Sequence, residues 1–256
     1  MGDERFFRDW PAADPKAGVA LIHGLAEHSG RYEHVAGRLN QAGYSVTAVD
    51  IRGHGRSAGW PGLVEGLEDW VADAKAVLER ARAEAGSRPL FLMGHSLGAL
   101  IAATYVARAG GEGLSGLVLS SISVLAGQAL LESMGDPDSQ GIPPSALSRD
   151  PEVGRRYSED PLVFADRVPP ESTAAALMGA IETNQAAATY TLPVLMFHGS
   201  DDPIADVEGA RDLFEGLAST DKRLRVYDGL LHETMNEPEQ DRVLDDLVAW
   251  LDDHLS

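Results

Sequence analysis

Residues 89–98 read Pro89-Leu90-Phe91-Leu92-Met93-Gly94-His95-Ser96-Leu97-Gly98, and a helical pattern follows over Leu97–Ala109, closed by Gly110-Gly111. Pro89–Met93 is a short apolar run, the length and composition of a strand buried on both faces. A strand that turns directly into a helix forces the residue at the turn into a strained conformation and exposes its side chain. The chain passes close to its neighbours on either side, so the positions two before and two after must be small. Gly94 and Gly98 meet that demand. A serine capping the helix would account for Ser96 but for neither glycine. The stretch therefore predicts a sharp turn with Ser96 as a candidate nucleophile.

Working outward, the same alternation recurs. Gly18–Ile22 is an apolar run ending at His23-Gly24, and Tyr32–Leu39 follows with one helical face. Tyr44–Val49 is rich in strand-favouring residues. A glycine-rich loop leads to a helix over Gly66–Glu84, with Leu67, Val71, Ala74, Leu78 and Ala81 on one side. Later strands are expected at Leu117–Leu119, Val194–Phe197 and Leu224–Tyr227, and a last helix over Glu239–Leu255. Continuous apolar strands alternating with helices predict a mostly parallel sheet covered on both faces. Residues 121–190 break the rhythm with Pro137, Pro143, Pro144, Pro151, Pro161, Pro169 and Pro170. They read as a cap inserted over the carboxyl edge of the sheet, between core segments 1–120 and 191–256. Met134, Leu147, Tyr157, Leu162, Val163, Phe164, Leu177 and Met178 predict that this cap is packed.

Composition bounds the function. The 256 residues are ample for one large domain. A net charge of −19 repels nucleic acid and anionic headgroups, so no nucleic-acid partner is expected. The chain has no cysteine, which excludes disulfides, a thiolate nucleophile and cysteine-held metal sites and is compatible with a reducing cytoplasm. The first residues lack the pattern of a signal peptide, and no apolar run is long enough for a membrane span.

A serine needs a base. In a strand–turn–helix arrangement of this kind the order along the chain is serine, acid, histidine. Of the eight histidines only His198, His232 and His254 follow Ser96. His254 stands on the terminal helix and is expected to be solvated, and His198 ends a strand with no room for an acid before it. His232 lies in a loop after a strand, where it can reach the nucleophile. The acid is expected in His198-Gly199-Ser200-Asp201-Asp202-Pro203-Ile204-Ala205-Asp206. Asp206 reads as the cap of the next helix, and spacing alone does not separate Asp201 from Asp202. Two backbone N–H groups should hold a developing oxyanion, one from Leu97 at a helix N-terminus and one from Leu25 after the strand Gly18–Ile22.

The segments His23-Gly24-Leu25-Ala26-Glu27-His28-Ser29-Gly30-Arg31-Tyr32, Asp50-Ile51-Arg52-Gly53-His54-Gly55-Arg56-Ser57, Leu147–Val153, Asp160–Val163, His198–Asp202 and His232–Glu237 together resemble the monoacylglycerol lipases and their lysophospholipase-like relatives. The resemblance implies the α/β-hydrolase fold with a helical cap, and a serine-dependent carboxylic ester hydrolase acting on a small acyl ester. The runner-up activities are a general carboxylesterase or lysophospholipase, and a non-catalytic binder of small ligands on the same fold. It selects Asp202 as the acid, three positions after the glycine of His198-Gly199. It also implies that Glu27 and Arg31 line the polar end of the pocket near a glycerol headgroup. Read without it, they are an ion pair at the start of a helix. No metal or cofactor is implied, and transient contact with lipid surfaces is compatible with it.

Overall fold

The computed structural model describes residues 4–122, 124, 141–164 and 168–255. Met134 and Pro137, quoted above from the insertion, lie outside these residues. Seven strands form one sheet: β1 Phe7–Trp10, β2 Ala17–Ile22, β3 Tyr44–Val49, β4 Leu90–His95, β5 Gly116–Ser120, β6 Val194–Gly199 and β7 Lys222–Tyr227. Their order is β1-β3-β2-β4-β5-β6-β7. Every neighbouring pair is parallel except β1 with β3. Among the described residues the α-helices are α1 Glu33–Gln41, α2 Leu67–Ala85, α3 Leu97–Ala109, α4 Pro151–Glu159, α5 Pro170–Ala186, α6 Val207–Gly216 and α7 Gln240–Asp253.

The expected strands and helices are present, with shifted ends. Strand β1 was not foreseen, because Phe7-Arg8-Asp9-Trp10 carries charge between two aromatics. It lies at the sheet edge and pairs with β3 alone, so its side chains need not be buried on both faces. The helix expected to open at Tyr32 opens instead with a 3-10 turn, Ser29–Tyr32, capped by His28, whose Nδ1 accepts from Gly30 N at 3.1 Å.

Strand period sorts the core into two layers. Val19 and Leu21 of β2 face Val35 and Leu39 of α1 and Leu247 and Trp250 of α7. Ala20 and Ile22 face Trp70 and Val77 of α2 and Leu100 and Ile101 of α3. Helix α3 is buried around most of its circumference because the sheet lies on one side and α5 on the other, with Thr104 Oγ1 3.2 Å from Thr183 Oγ1.

Helix α5 and the residues flanking α4, all between β5 and β6, are bonded to loops at the carboxyl edge of the sheet. Glu233 N donates to Leu147 O at 2.7 Å, Phe164 N to Ala26 O at 3.2 Å, and Val64 N to Ser172 Oγ at 2.9 Å. Leu147 and Tyr157 are buried as expected. Leu177 and Met178 are not: they stand 40% and 49% exposed on the outer side of α5.

Candidate active site

The turn at residue 96 has the strain that the sequence demands. Ser96 has φ 52° and ψ −117°, outside the relaxed regions for a side-chain-bearing residue. A Cβ on Gly94 would come well within 3.0 Å of Gly98 O, and a Cβ on Gly98 well within 3.0 Å of Ile22 O and His23 O. Those neighbours are backbone and cannot swing aside. The two glycines let β4, β2 and α3 cross at one point, and that crossing delivers Ser96 to the carboxyl edge of the sheet.

The next loop is built to present an N–H. His23 Nδ1 donates to Gly24 O at 2.7 Å while His23 Nε2 accepts from Ile51 N at 3.0 Å, which settles its tautomer. A trans peptide places its C=O and the following N–H on opposite sides. Holding Gly24 O therefore turns the Leu25 N–H away from His23. Gly24 N donates to Glu27 Oε1 at 2.6 Å, so this glycine is gripped on both sides. A Cβ on Gly24 would stand 2.9 Å from Glu27 Oε1 and in contact with Ser96 Cβ at 3.4 Å. Leu97 is the first residue of α3, so its N–H has no acceptor inside the helix. Gly24, Leu25, Ser96 and His232 line one pocket together.

His232 is buried and lines the pocket. Its Nδ1 donates to Asp202 Oδ2 at 2.8 Å, leaving Nε2 as the free acceptor. Its backbone is held from behind by Ser121 Oγ, which donates to His232 O at 2.7 Å. Asp202 Oδ1 accepts from Ile204 N at 2.8 Å and Ala205 N at 3.0 Å. His198 Nε2 donates to Ala205 O at 2.9 Å and stands 3.1 Å from Asp202 Oδ2. Burial alone would raise the Asp202 carboxyl, but the His232 charge and these donors override it and hold it well below the usual carboxylate range. Burial would likewise lower His232, and the Asp202 carboxylate more than offsets that, so the imidazole titrates above its ordinary value. Asp201 faces the other way, accepting from Ser200 Oγ at 2.7 Å. Asp206 caps α6 as expected, accepting from Glu208 N. His95, next to Ser96 in the chain, is pushed down to about 4 by burial and by repulsion from His232, and therefore stays neutral. His254 is not solvated: its ring stacks on Trp250 at 4.1 Å and bonds Asp221 at 3.0 Å.

Glu27 and Arg31 form a buried cluster rather than a surface ion pair. Arg31 Nη1 donates to Glu27 Oε2 at 2.7 Å, and Arg31 Nη1 and Nη2 donate to both oxygens of Glu233 at 2.6 and 2.8 Å. Tyr32 OH donates to Glu27 Oε1 at 2.7 Å. The guanidinium packs over the Tyr157 ring at 5.0 Å. Burial opposes the charge on Glu27, yet Arg31 holds its carboxyl below the usual range, and the two carboxylates hold Arg31 charged. Glu27 and Glu233 line the pocket beside Ser96, while Arg31 lines the adjoining cleft with Arg156 and Asp160.

Sequence reasoning missed Ser121, Glu233 and Glu237. Glu237, fully buried, accepts from Leu231 N at 2.7 Å through Oε1 and from Arg149 N at 3.0 Å through Oε2, which ties the base loop to the insertion. The signal was present in the density of acids after His232, but an acid in a loop has no period to give it away.

Residues 13–239 match the family model described as serine aminopeptidase, S33. Monoacylglycerol lipase from Mycolicibacterium smegmatis is 41% identical over 96% of this chain and 91% of its own length. Mouse monoglyceride lipase is 32% identical over 98% of this chain and 87% of its own. The crystal structure of Paleococcus ferrophilus monoacylglycerol lipase superposes with a TM-score of 0.85 at 32% identity, covering 98% of this chain and 99% of that one. The chain thus belongs to the serine aminopeptidase S33 family of α/β-hydrolases, on the branch that holds the monoacylglycerol lipases.

Proposed function

We propose that the protein is a serine hydrolase that cleaves monoacylglycerol to fatty acid and glycerol, with Ser96 as nucleophile, His232 as base and Asp202 as the orienting acid. The observation that carries this reading is the 2.8 Å bond from His232 Nδ1 to Asp202, in the same pocket as a strained Ser96. That bond leaves Nε2 as the ring nitrogen able to take a proton. The names of the relatives supply the substrate class.

In this mechanism Ser96 Oγ attacks the ester carbonyl and passes its proton to His232 Nε2. Asp202 keeps the imidazole in the right tautomer and stabilises the imidazolium. The N–H groups of Leu25 and Leu97 receive the oxyanion, each worth about 10²–10³ in rate for groups of this kind. His232 then protonates the departing glycerol, and water repeats the cycle on the acyl-enzyme. Glu27 and Glu233 supply the acidic part of the pocket lining, and Leu25, Ile142 and Leu147 its apolar part. Residues 121–190 act as the cap over this pocket. Monoacylglycerols collect in lipid aggregates, so transient contact with a lipid surface belongs to this reading. Among the described residues no helix is long and apolar enough to cross a membrane, and a chain without cysteine is compatible with the reducing cytoplasm, the setting this reading takes.

The test is a hydrolysis profile over monoacylglycerols of increasing chain length, with p-nitrophenyl esters, a lysophospholipid and aminoacyl anilides alongside. Ser96→Ala should retain the fold and lose ester turnover by roughly 10³ or more, together with labelling by a fluorophosphonate probe. Retained turnover in that variant would remove Ser96 from the mechanism.

A further inference from the structure

The polar wall of the pocket has an unbalanced charge. Glu27 and Glu233 both line it, and one guanidinium, Arg31, serves both carboxylates from behind. The other charged groups at the pocket cancel. His232 becomes a cation during the reaction beside the anion Asp202, and His95 stays neutral. Among the described residues lining the pocket none is lysine or arginine. Among the described residues the adjoining cleft adds no surplus of positive charge: Arg31 and Arg156 line it together with Glu33, Asp150 and Asp160, and Arg156 pairs with Glu152.

We propose that the Glu27–Arg31–Glu233 cluster is a specificity device: its surplus negative charge at the alcohol end of the pocket selects esters of neutral alcohols and rejects those whose alcohol carries a phosphate. This rests on the monoacylglycerol reading above and deepens it. We take the alcohol end to be where Glu27 and Glu233 line the pocket, because Leu25, Ile142 and Leu147 are the apolar part of the same lining. Glu27 and Glu233 are 3% and 4% exposed, so water screens them weakly. A phosphate brought against these carboxylates meets like charge and finds no free cation among the described residues lining the pocket. Arg31 already spends Nη1 and Nη2 on Glu233, and Nη1 on Glu27 as well. Rejection of the wrong ligand by like-charge juxtaposition is a general route to specificity.

The experiment compares kcat/KM for 1-octanoylglycerol with that for its 3-phosphate, below their aggregation limits, and reads the ratio. A ratio taken on one preparation is independent of the fraction of enzyme that is folded. Glu233→Gln removes a negative charge and should shift the ratio toward the phosphate ester by about tenfold, while Arg31→Gln removes the positive charge and should shift it the other way by a similar factor. Glu79→Gln, on the exposed face of α2, changes the net charge of the chain equally and should leave the ratio in place. A role in packing alone predicts a loss on both substrates and no opposed movement of the ratio. Equal ratios in wild type and both pocket variants, or movement in one direction in both, overturns the proposal. If the wild-type enzyme turns over p-nitrophenyl butyrate but neither glyceride, the monoacylglycerol reading falls instead. The ratio is then taken from inhibition of that turnover by 1-O-octylglycerol and its 3-phosphate, with the same opposed shifts expected.

Discussion

Gly98→Ala is the sharpest single test of how the fold delivers the nucleophile. The added methyl would sit well within 3.0 Å of both Ile22 O and His23 O, on a central strand with no freedom to retreat. Ordinary contact begins at 3.4 Å, so α3 must move off β2 by roughly 1 Å, a displacement that costs about 10²-fold when it reaches reacting groups. Overpacking of this kind also destabilises by about 1–3 kcal/mol, a fall in Tm of several degrees at roughly 2–4 °C per kcal/mol. Both effects arise together because Ser96 and the Leu97 N–H ride on the first turn of α3. The control is Gly37→Ala in α1, where a Cβ meets nothing within 4 Å. There the same methyl should stabilise by about 0.5–1 kcal/mol through helix propensity and leave turnover alone. The assay is thermal unfolding followed by kcat/KM on p-nitrophenyl butyrate. If Gly98→Ala melts and turns over like wild type, the crossing of β4, β2 and α3 does not set the nucleophile, and the account of the turn is wrong.

The remaining expectations concern pH and the base loop. Since Asp202 raises His232 above its ordinary value of 6.5, the acid limb of the kcat/KM profile should have its midpoint above that value; a midpoint below it contradicts the assignment of the base. The His232 contribution to stability is complete below its unfolded pKa and is lost as pH rises through the raised folded value. The Asp202 contribution has the opposite sense: it is present above its unfolded value of 3.8 and disappears as pH falls through the depressed folded one. Denaturant titrations of wild type and Asp202→Asn across this range should therefore differ most between those limits. Glu237→Ala leaves the N–H groups of Leu231 and Arg149 without their acceptor; both donors are only partly buried, so the cost is about 1–2 kcal/mol in all. Urea unfolding should show the loss, and rigid positioning of His232 predicts that kcat falls with it.

Much of the molecule was legible before any coordinates. The apolar runs at Gly18–Ile22 and Pro89–Met93 have no polar alternation, as expected of strands in a parallel sheet covered on both faces. Gly94 and Gly98 around Ser96 announced the turn because excluded volume leaves no other residue there. Family resemblance, not spacing, separated Asp202 from Asp201. The structure shows the physical difference: Asp202 turns inward to His232, while Asp201 bonds its own neighbour. Strand β1 escaped because an edge strand satisfies only one partner and tolerates charge. Sequence by itself determined the layering and the nucleophile turn, since both follow from local periodicity and local sterics. Tertiary structure alone decided how Glu27, Arg31 and Glu233 share one buried charge and how His23 aims the Leu25 N–H. Those arrangements join residues up to |i−j| = 202, and no local pattern records which distant groups a fold will bring within hydrogen-bonding reach.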